Sequence, residues 1–257
     1  MKMVVSSFSK TLINSEEAIS YSTMVEIDRV RNNGIVFSIM TCECLRNVID
    51  YNKDFPFLDY VISFNGSVVY DVINNKFLYK KNISNSTVKK IYKLLNNYDL
   101  GFYNLEYSGY FGNYYDKYNG KLETNFNEFL LNNKDNIYKI EVICKNKKDV
   151  SLVLDIINNH EILVNTRIVE KDNLFFIEIY NKSVNKLVGL KKISSSLNIK
   201  MKDIIGIGCS LSDTCVLEKV GKSFAIGNAC NEIKNISLEV VGTNEEKGVL
   251  EVLKKYL

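Results

Sequence analysis

The run Gly34-Ile-Val-Phe-Ser-Ile-Met-Thr41 limits the fold of this chain more than any other stretch. It is apolar almost throughout, the pattern of a strand buried on both faces of a parallel sheet. A parallel neighbour needs a crossover connection, usually a helix, and the flanking sequence supplies one. Met3 to Val5 reads as a short apolar strand. A helical stretch from about Ser22 places Thr23, Ile27 and Val30 on one face before Asn33-Gly34 stops it. A short helix with Leu45, Val48 and Ile49 on one face follows, then a third strand, Asp59 to Ser63. Ser67 to Asp71 and Lys76 to Lys80 flank a hairpin turn at Asn74-Asn75. The alternation predicts an α/β fold with a parallel sheet.

From about Ile83 the rhythm changes. A helix carrying Val88, Ile91, Leu94 and Leu95 leads to two Tyr-rich strands, around Leu100–Tyr107 and Tyr110–Tyr115. A weaker helix near Phe126–Leu131 and an alternating strand, Ile137 to Cys144, come next. A helix through Val150, Leu154 and Ile157 and two strands, Ile162–Val169 and Leu174–Tyr180, complete the segment. This predicts an α+β module over 83–182 inserted into a core made of 1–82 and 183–257. After Tyr180 the first rhythm returns. A helix presents Leu187, Leu190, Ile193 and Leu197 on one face, and Asp203 to Gly208 is a strand. A helix is expected from Ser212 to Val220, and strands at Ser223–Ile226 and Ser237–Val241. A last helix is expected to start at Thr243-Asn244-Glu245-Glu246.

Composition narrows the partners. A formal charge of +3 over 257 residues gives no case for nucleic acid. No apolar run approaches a membrane span, and the N-terminus lacks the apolar region of a signal peptide. Six irregularly spaced cysteines without an export signal suit reduced thiols in a cytoplasm. The single histidine, His160, restricts the available acid–base chemistry.

The first strand ends in a hydroxyl-rich turn, Ser6, Ser7 and Ser9, followed by Lys10 and Thr11. The carboxyl ends of such strands are where α/β sheets bind ligands. Four separated segments carry a resemblance. They are Val4 to Asn14, Met40-Thr41-Cys42-Glu43, Lys186 with Leu190 to Ile193, and Gly208-Cys209-Ser210-Leu211-Ser212-Asp213. Asn65-Gly66 and Ala225-Ile226-Gly227-Asn228-Ala229 extend it. Together they resemble the haloacid-dehalogenase superfamily, specifically the Cof-type (class IIB) phosphatases, with a large cap inserted in a Rossmann-like parallel core. The resemblance covers essentially the whole chain. It implies a reaction in which a first Asp attacks phosphorus and a second Asp protonates the leaving oxygen. Mg²⁺ would be held by the first Asp, the backbone carbonyl of the second and the acids of the fourth motif. Thr or Ser and Lys would grip the phosphoryl oxygens.

This chain departs from that pattern where the chemistry sits. The nucleophile position is Ser7 and the acid/base position is Ser9. The first fourth-motif carboxylate is Cys209 and the motif's Asn is Ser212. Lys10 and Cys42 stand at turn-glycine positions, and Glu43 stands at the arginine. Thr11, Thr41, Asn65, Lys186, Asp213, Gly227 and Asn228 keep the family's residue. The expected ligand-binding residues are therefore Thr11, Thr41, Asn65, Lys186 and Asn228, with Cys209 and Asp213 a vestigial metal site. Mg²⁺ wants hard oxygen ligands and a thiol is soft, so no cofactor is expected. A serine nucleophile needs a base, and His160 lies in the inserted module.

Blander readings stand beside these. Ser7 and Ser9 read as turn hydroxyls satisfying the backbone. Lys186 is either a solvated helix-start lysine or an anion ligand beside Thr41, and Lys10 is either solvated or a stand-in for the ion's charge. Cys42, Cys44 and Cys209 sit at strand ends on opposite sides of the first strand, roughly 10 Å apart by strand spacing, which favours packing over a shared metal. Tyr107, Tyr110, Tyr114, Tyr115 and Tyr118 with Lys117 read as lining of the cleft between cap and core, or as a stacking surface. The leading reading is a pseudo-phosphatase binding a phosphorylated small molecule or a protein partner at that cleft. The alternatives are a slow or unusual-mechanism phosphomonoester hydrolase and a pure interaction module.

Overall fold

The computed structural model describes residues 1–54, 56–105, 108–112 and 120–257. The chain forms two compact units, Met1–Lys80 with Asn185–Leu257, and Lys81–Val184. The first unit begins with β1 (Met3–Ser7), α1 (Tyr21–Asn32), β2 (Val36–Met40), α2 (Leu45–Asp54), β3 (Tyr60–Ser63), β4 (Val68–Asp71) and β5 (Lys76–Lys80). The second unit holds α3 (Asn85–Leu95), β6 (Asp99–Tyr103), β7 (Ser108–Phe111), β8 (Gly120–Leu122) and α4 (Phe126–Asn132). It continues with β9 (Lys139–Cys144), α5 (Lys147–Asn159), β10 (Val164–Lys171) and β11 (Leu174–Asn181). The chain then returns to the first unit with α6 (Lys186–Ser196), β12 (Ile204–Gly208), α7 (Thr214–Leu217), β13 (Lys222–Ala225), α8 (Asn231–Ile236), β14 (Glu239–Val240) and α9 (Gly248–Tyr256).

The first unit is built on a sheet ordered β14-β13-β12-β1-β2-β3-β4-β5. It is parallel from β14 to β3 and antiparallel across β4 and β5. β1 lies in the middle, with Met3 in register with Ile204 on one side and Val36 on the other. Met3, Val4 and Val5 are completely buried, as a strand covered on both faces must be. Each such side chain contributes about 1.5–3 kcal/mol relative to exposure. The helices start on polar caps. Ser20 accepts from Thr23 N at the start of α1, and Asn185 accepts from Val188 N at the start of α6; each is worth about 1 kcal/mol.

The second unit carries a sheet ordered β10-β11-β9-β6-β7-β8. Strand alternation sends Ile140, Val142 and Cys144 of β9 and Ile177 and Ile179 of β11 into a core with Val88, Ile91, Val153 and Ile157 of α3 and α5. The residues between them form a charged row on the other face. Lys139 Nζ lies 2.6 Å from Glu141 and 3.8 Å from Glu178, and Arg167 lies 2.7 Å from Glu178. The sequence reading passed over this row, although the alternation of Lys139-Ile-Glu-Val-Ile-Cys144 carries it.

Several boundaries differ from expectation. The helix expected from Ser212 to Val220 is a tight turn at Leu211–Asp213 followed by the short α7. It ends early because Gly221 N donates to Met201 O and Ile204 O, which pulls the chain back to β12. The last helix begins at Gly248, not Thr243. Thr243 and Glu246 bond reciprocally but close a separate turn, and left-handed Lys247 (φ +63°) interrupts the helical path. β8 and α8 were not expected. Tyr107, Tyr114, Tyr115, Lys117 and Tyr118 lie outside the described residues, while Tyr110 falls on β7. Among the described residues no helix is long and apolar enough to cross a membrane.

Asp59, at the entry to β3, is 6% exposed and ties three segments together. Its carboxylate accepts from Phe37 N at 2.7 Å and from Arg31 Nε at 2.9 Å, with a second guanidinium nitrogen at 2.8 Å. Hydrogen bonds to a charged group are worth about 1.5–3 kcal/mol. Asp59→Ala is expected to lower unfolding stability by about 2–3 kcal/mol in urea titration; a loss under about 0.5 kcal/mol would contradict this role.

Candidate functional site

Three elements converge at the carboxyl ends of the central strands. β1 and β12 run side by side with Ser6 opposite Ile207, so both chains leave the sheet together at Ser7 and Gly208. The third element is α6, whose first residue is Lys186. Its start is seated by the turn after β3. Gly66 has φ +95°, and a Cβ there would lie 2.0 Å from Asn185 O. Only glycine permits that approach, and Asn185 is the cap of α6. A lysine at a helix N-terminus opposes the helix dipole, so a partner elsewhere has to hold it.

That partner is Asp213. Lys186 Nζ lies 2.7 Å from Asp213 Oδ1, and the two side chains are 4% and 0% exposed. Ser7 Oγ donates to the same oxygen at 2.6 Å, and Lys186 Nζ lies 3.4 Å from Ser7 Oγ. Asp213 Oδ2 accepts from Cys209 N and Ser210 N, both at 3.0 Å, and from Ser210 Oγ at 3.2 Å. Burial opposes ionisation of Asp213. The charge and hydrogen bond of Lys186, with bonds from Ser7 and Ser210, outweigh it and hold the carboxyl below its ordinary range. Burial and the charge of Asp213 push the Cys209 thiol up, against the smaller opposing effects of Thr11, Lys186 and Lys10. That shift disfavours the nucleophilic thiolate.

A second contact lies on the β2 side. Ser9 Oγ donates to Glu43 Oε1. The register of β1 with β2, Ser7 opposite Met40, brings the two following loops together. Glu43 N donates to Thr41 Oγ1 at 3.1 Å, and Phe64 N donates to Glu43 O at 3.0 Å, so the Glu43 backbone is fixed. The sequence reading recorded Glu43 only as a lost arginine. Its neighbourhood with Ser9 follows from the adjacency of the two strands.

The remaining expected residues are placed differently. Lys10 is left-handed (φ +59°) with an exposed side chain, the solvated reading. Asn228 clamps the loop: its Nδ2 donates to Lys10 O at 2.9 Å and its Oδ1 accepts from Asn244 N at 3.1 Å. Thr11 is buried and lines a small cavity of about 50 Å³ with Asn14, Ser20, Thr23, Asn244 and Glu245. Asn65 is left-handed (φ +53°), and its backbone N donates to Thr41 O at 3.0 Å. The structure thus brings Ser7, Lys186, Asp213 and Cys209 together, and joins Ser9 to Glu43 and Thr41. All six cysteines are outside disulfides. Cys42 Sγ reaches Ser212 Oγ at 3.9 Å and Cys209 Sγ reaches Ser9 O at 3.7 Å. Among the described residues no group of three or more His, Cys, Asp or Glu side chains is placed to hold a metal ion.

The depressed carboxyl of Asp213 makes a stability prediction with a definite sign. A group whose folded pKa lies below its unfolded value, near 3.8, stabilises above that value and loses the contribution as pH falls toward the folded pKa. Asp213→Asn is expected to be less stable than the parent at about pH 7, with the gap narrowing as pH falls below about 3.8. Urea unfolding across that range checks it; a gap that stays constant or widens on acidification would contradict it.

Comparison with known proteins agrees with this architecture. The family model for haloacid dehalogenase-like hydrolases matches residues 6–253. A Bacillus subtilis 5-amino-6-(5-phospho-D-ribitylamino)uracil phosphatase, YitU, is 24% identical over 258 residues, covering 96% of this chain and 94% of its own. A haloacid dehalogenase-like hydrolase from B. subtilis superposes with a TM-score of 0.87 at 21% identity over all of both chains. The subclass IIB sugar phosphatase BT4131 superposes with a TM-score of 0.81 at 18% identity, over 100% of this chain and 99% of that one. With the parallel core and its strand-end site in place, the chain belongs to the haloacid dehalogenase-like hydrolase family.

Proposed function

We propose that this chain is a pseudo-phosphatase, which binds a phosphorylated small molecule at the carboxyl ends of its core strands and does not hydrolyse it. The observation that carries the reading is the closed state of Asp213. Both of its oxygens are taken by protein donors, one of them an ammonium at 2.7 Å. Members of this family typically use Mg²⁺, and the residues here do not fit it. The positions for two of its carboxylates hold Ser7, a neutral hydroxyl, and Cys209, a soft sulfur. The oxygen of Asp213 beside Ser7 already faces Lys186. Mg²⁺ demands near-ideal octahedral oxygen ligation, which this donor set does not offer.

The acid–base chemistry points the same way. Ser7 directs its proton at Asp213, but a carboxylate held below its ordinary pKa is a weak base. Ser9, at the acid/base position, donates to Glu43 and has no acidic proton of its own to give a leaving group. General acid help is typically worth about 10²–10⁴-fold, and it is lost together with nucleophile and metal. Ligand binding is supported by what remains. Thr41 Oγ1 accepts from Glu43 N, which leaves its proton for an oxyanion. Relatives are named for phosphorylated substrates, and the site lies where open α/β sheets bind ligands.

A second reading, a slow phosphomonoester hydrolase with a serine nucleophile, is favoured by one contact, the 2.6 Å bond from Ser7 to Asp213 beside Lys186. Hydrolysis of p-nitrophenyl phosphate and a panel of sugar phosphates, with and without Mg²⁺, separates the two. No turnover above background is expected from the parent chain in either condition. Robust hydrolysis abolished by Ser7→Ala would overturn the pseudo-phosphatase reading and establish the second.

A further inference from the structure

The replacements around the site conserve its formal charge. Two carboxylate positions have become Ser7 and Cys209, a change of two negative charges, which matches the two positive charges of the divalent ion those carboxylates would hold. A third carboxylate position is Ser9, a glycine position is Lys10 and the arginine position is Glu43, and these changes of +1, +1 and −2 cancel; Ser9 Oγ donates to Glu43 Oε1, and the charge of Lys10 acts on Cys209. The buried Lys186–Asp213 pair is neutral in itself. The site therefore reaches the same balance of charge with no ion in it.

We propose that this strand-end site takes an oxyanion of the phosphate class without a divalent cation, and that Glu43 is the residue that limits its affinity. The first half deepens the phosphorylated-ligand reading above and rests on it. Thr41 is the cation-free donor to the oxyanion. Thr41 is 3% exposed and keeps its hydroxyl proton, because its oxygen only accepts from Glu43 N. Lys186, paired with Asp213, lies behind Ser7 and fixes the end of β1. Glu43 opposes Thr41. It lies two residues past Thr41, its backbone is held by Thr41 Oγ1 and Phe64 N, and the bond from Ser9 Oγ places its carboxylate beside the loop after β1. A like charge held near a bound oxyanion in a partly desolvated site weakens binding by roughly a factor of ten or more.

Isothermal titration calorimetry of the full chain with inorganic phosphate tests both halves, run once in EDTA and once in excess MgCl₂, on the parent and on Glu43→Gln. Gln keeps an acceptor for Ser9 and sits at a partly exposed position, and circular dichroism checks that the variant is folded. The expected result is the same Kd in both buffers within about twofold, and binding about tenfold tighter in Glu43→Gln. Binding that appears only with MgCl₂ would overturn the cation-free site and leave the phosphorylated-ligand reading standing. No binding in either buffer would defeat both. Unchanged or weaker binding in Glu43→Gln would remove Glu43 from its assigned role.

Discussion

The buried pair of Lys186 and Asp213 is the contact around which the strand ends of the core unit are arranged. Removing two charges from water costs more than their mutual attraction returns unless other donors complete the shell. Here Ser7, Cys209 N, Ser210 N and Ser210 Oγ complete it. The network joins the end of the first strand, the first turn of α6 and the loop after β12. Those segments are far apart in the chain: Ser7 and Asp213 are separated by 206 positions. What places them together is the sheet, with β1 paired to β12, and the glycine turn after β3 that seats the start of α6.

The loop after β1, Phe8 to Asn14, contains no carboxylate and is held from outside. Its left-handed residue is Lys10, where a side chain costs about 1–2 kcal/mol relative to glycine. Asn228 grips the carbonyl of that residue, and Asn244 holds both Asn228 and Ile13 O. The loop is fixed by amides from the far side of the unit.

Much of the fold was legible because a parallel strand buried on both faces has a distinctive sequence. Gly34 to Thr41 reads as a strand from its residues alone, and it is β2. The caps at Ser20 and Asn185 are local chemistry. Where local chemistry competes with tertiary contacts the reading failed. Thr243 to Glu246 has the residues of a helix start, yet it closes a turn before a left-handed Lys247. The stretch after Asp213 has helical residues, but Gly221 is pulled to β12. At the site, the residues converging on β1 were readable through their resemblance to the family's motifs. The direction of each side chain was not. Asn228 was expected at a ligand and is spent on the loop. Glu43 faces Ser9 through the pairing of two neighbouring strands, which no single stretch of sequence records.

Lys186 holds the Asp213 oxygen that a metal ion at this site would need. The most direct measurement is a crystal structure grown in millimolar MnCl₂, with anomalous scattering used to locate the ion. No anomalous peak is expected at the ends of β1 and β12, and Lys186 stays paired to Asp213. An ordered octahedral ion on Asp213, with Lys186 displaced from it, would show that the carboxylate is open to metal after all.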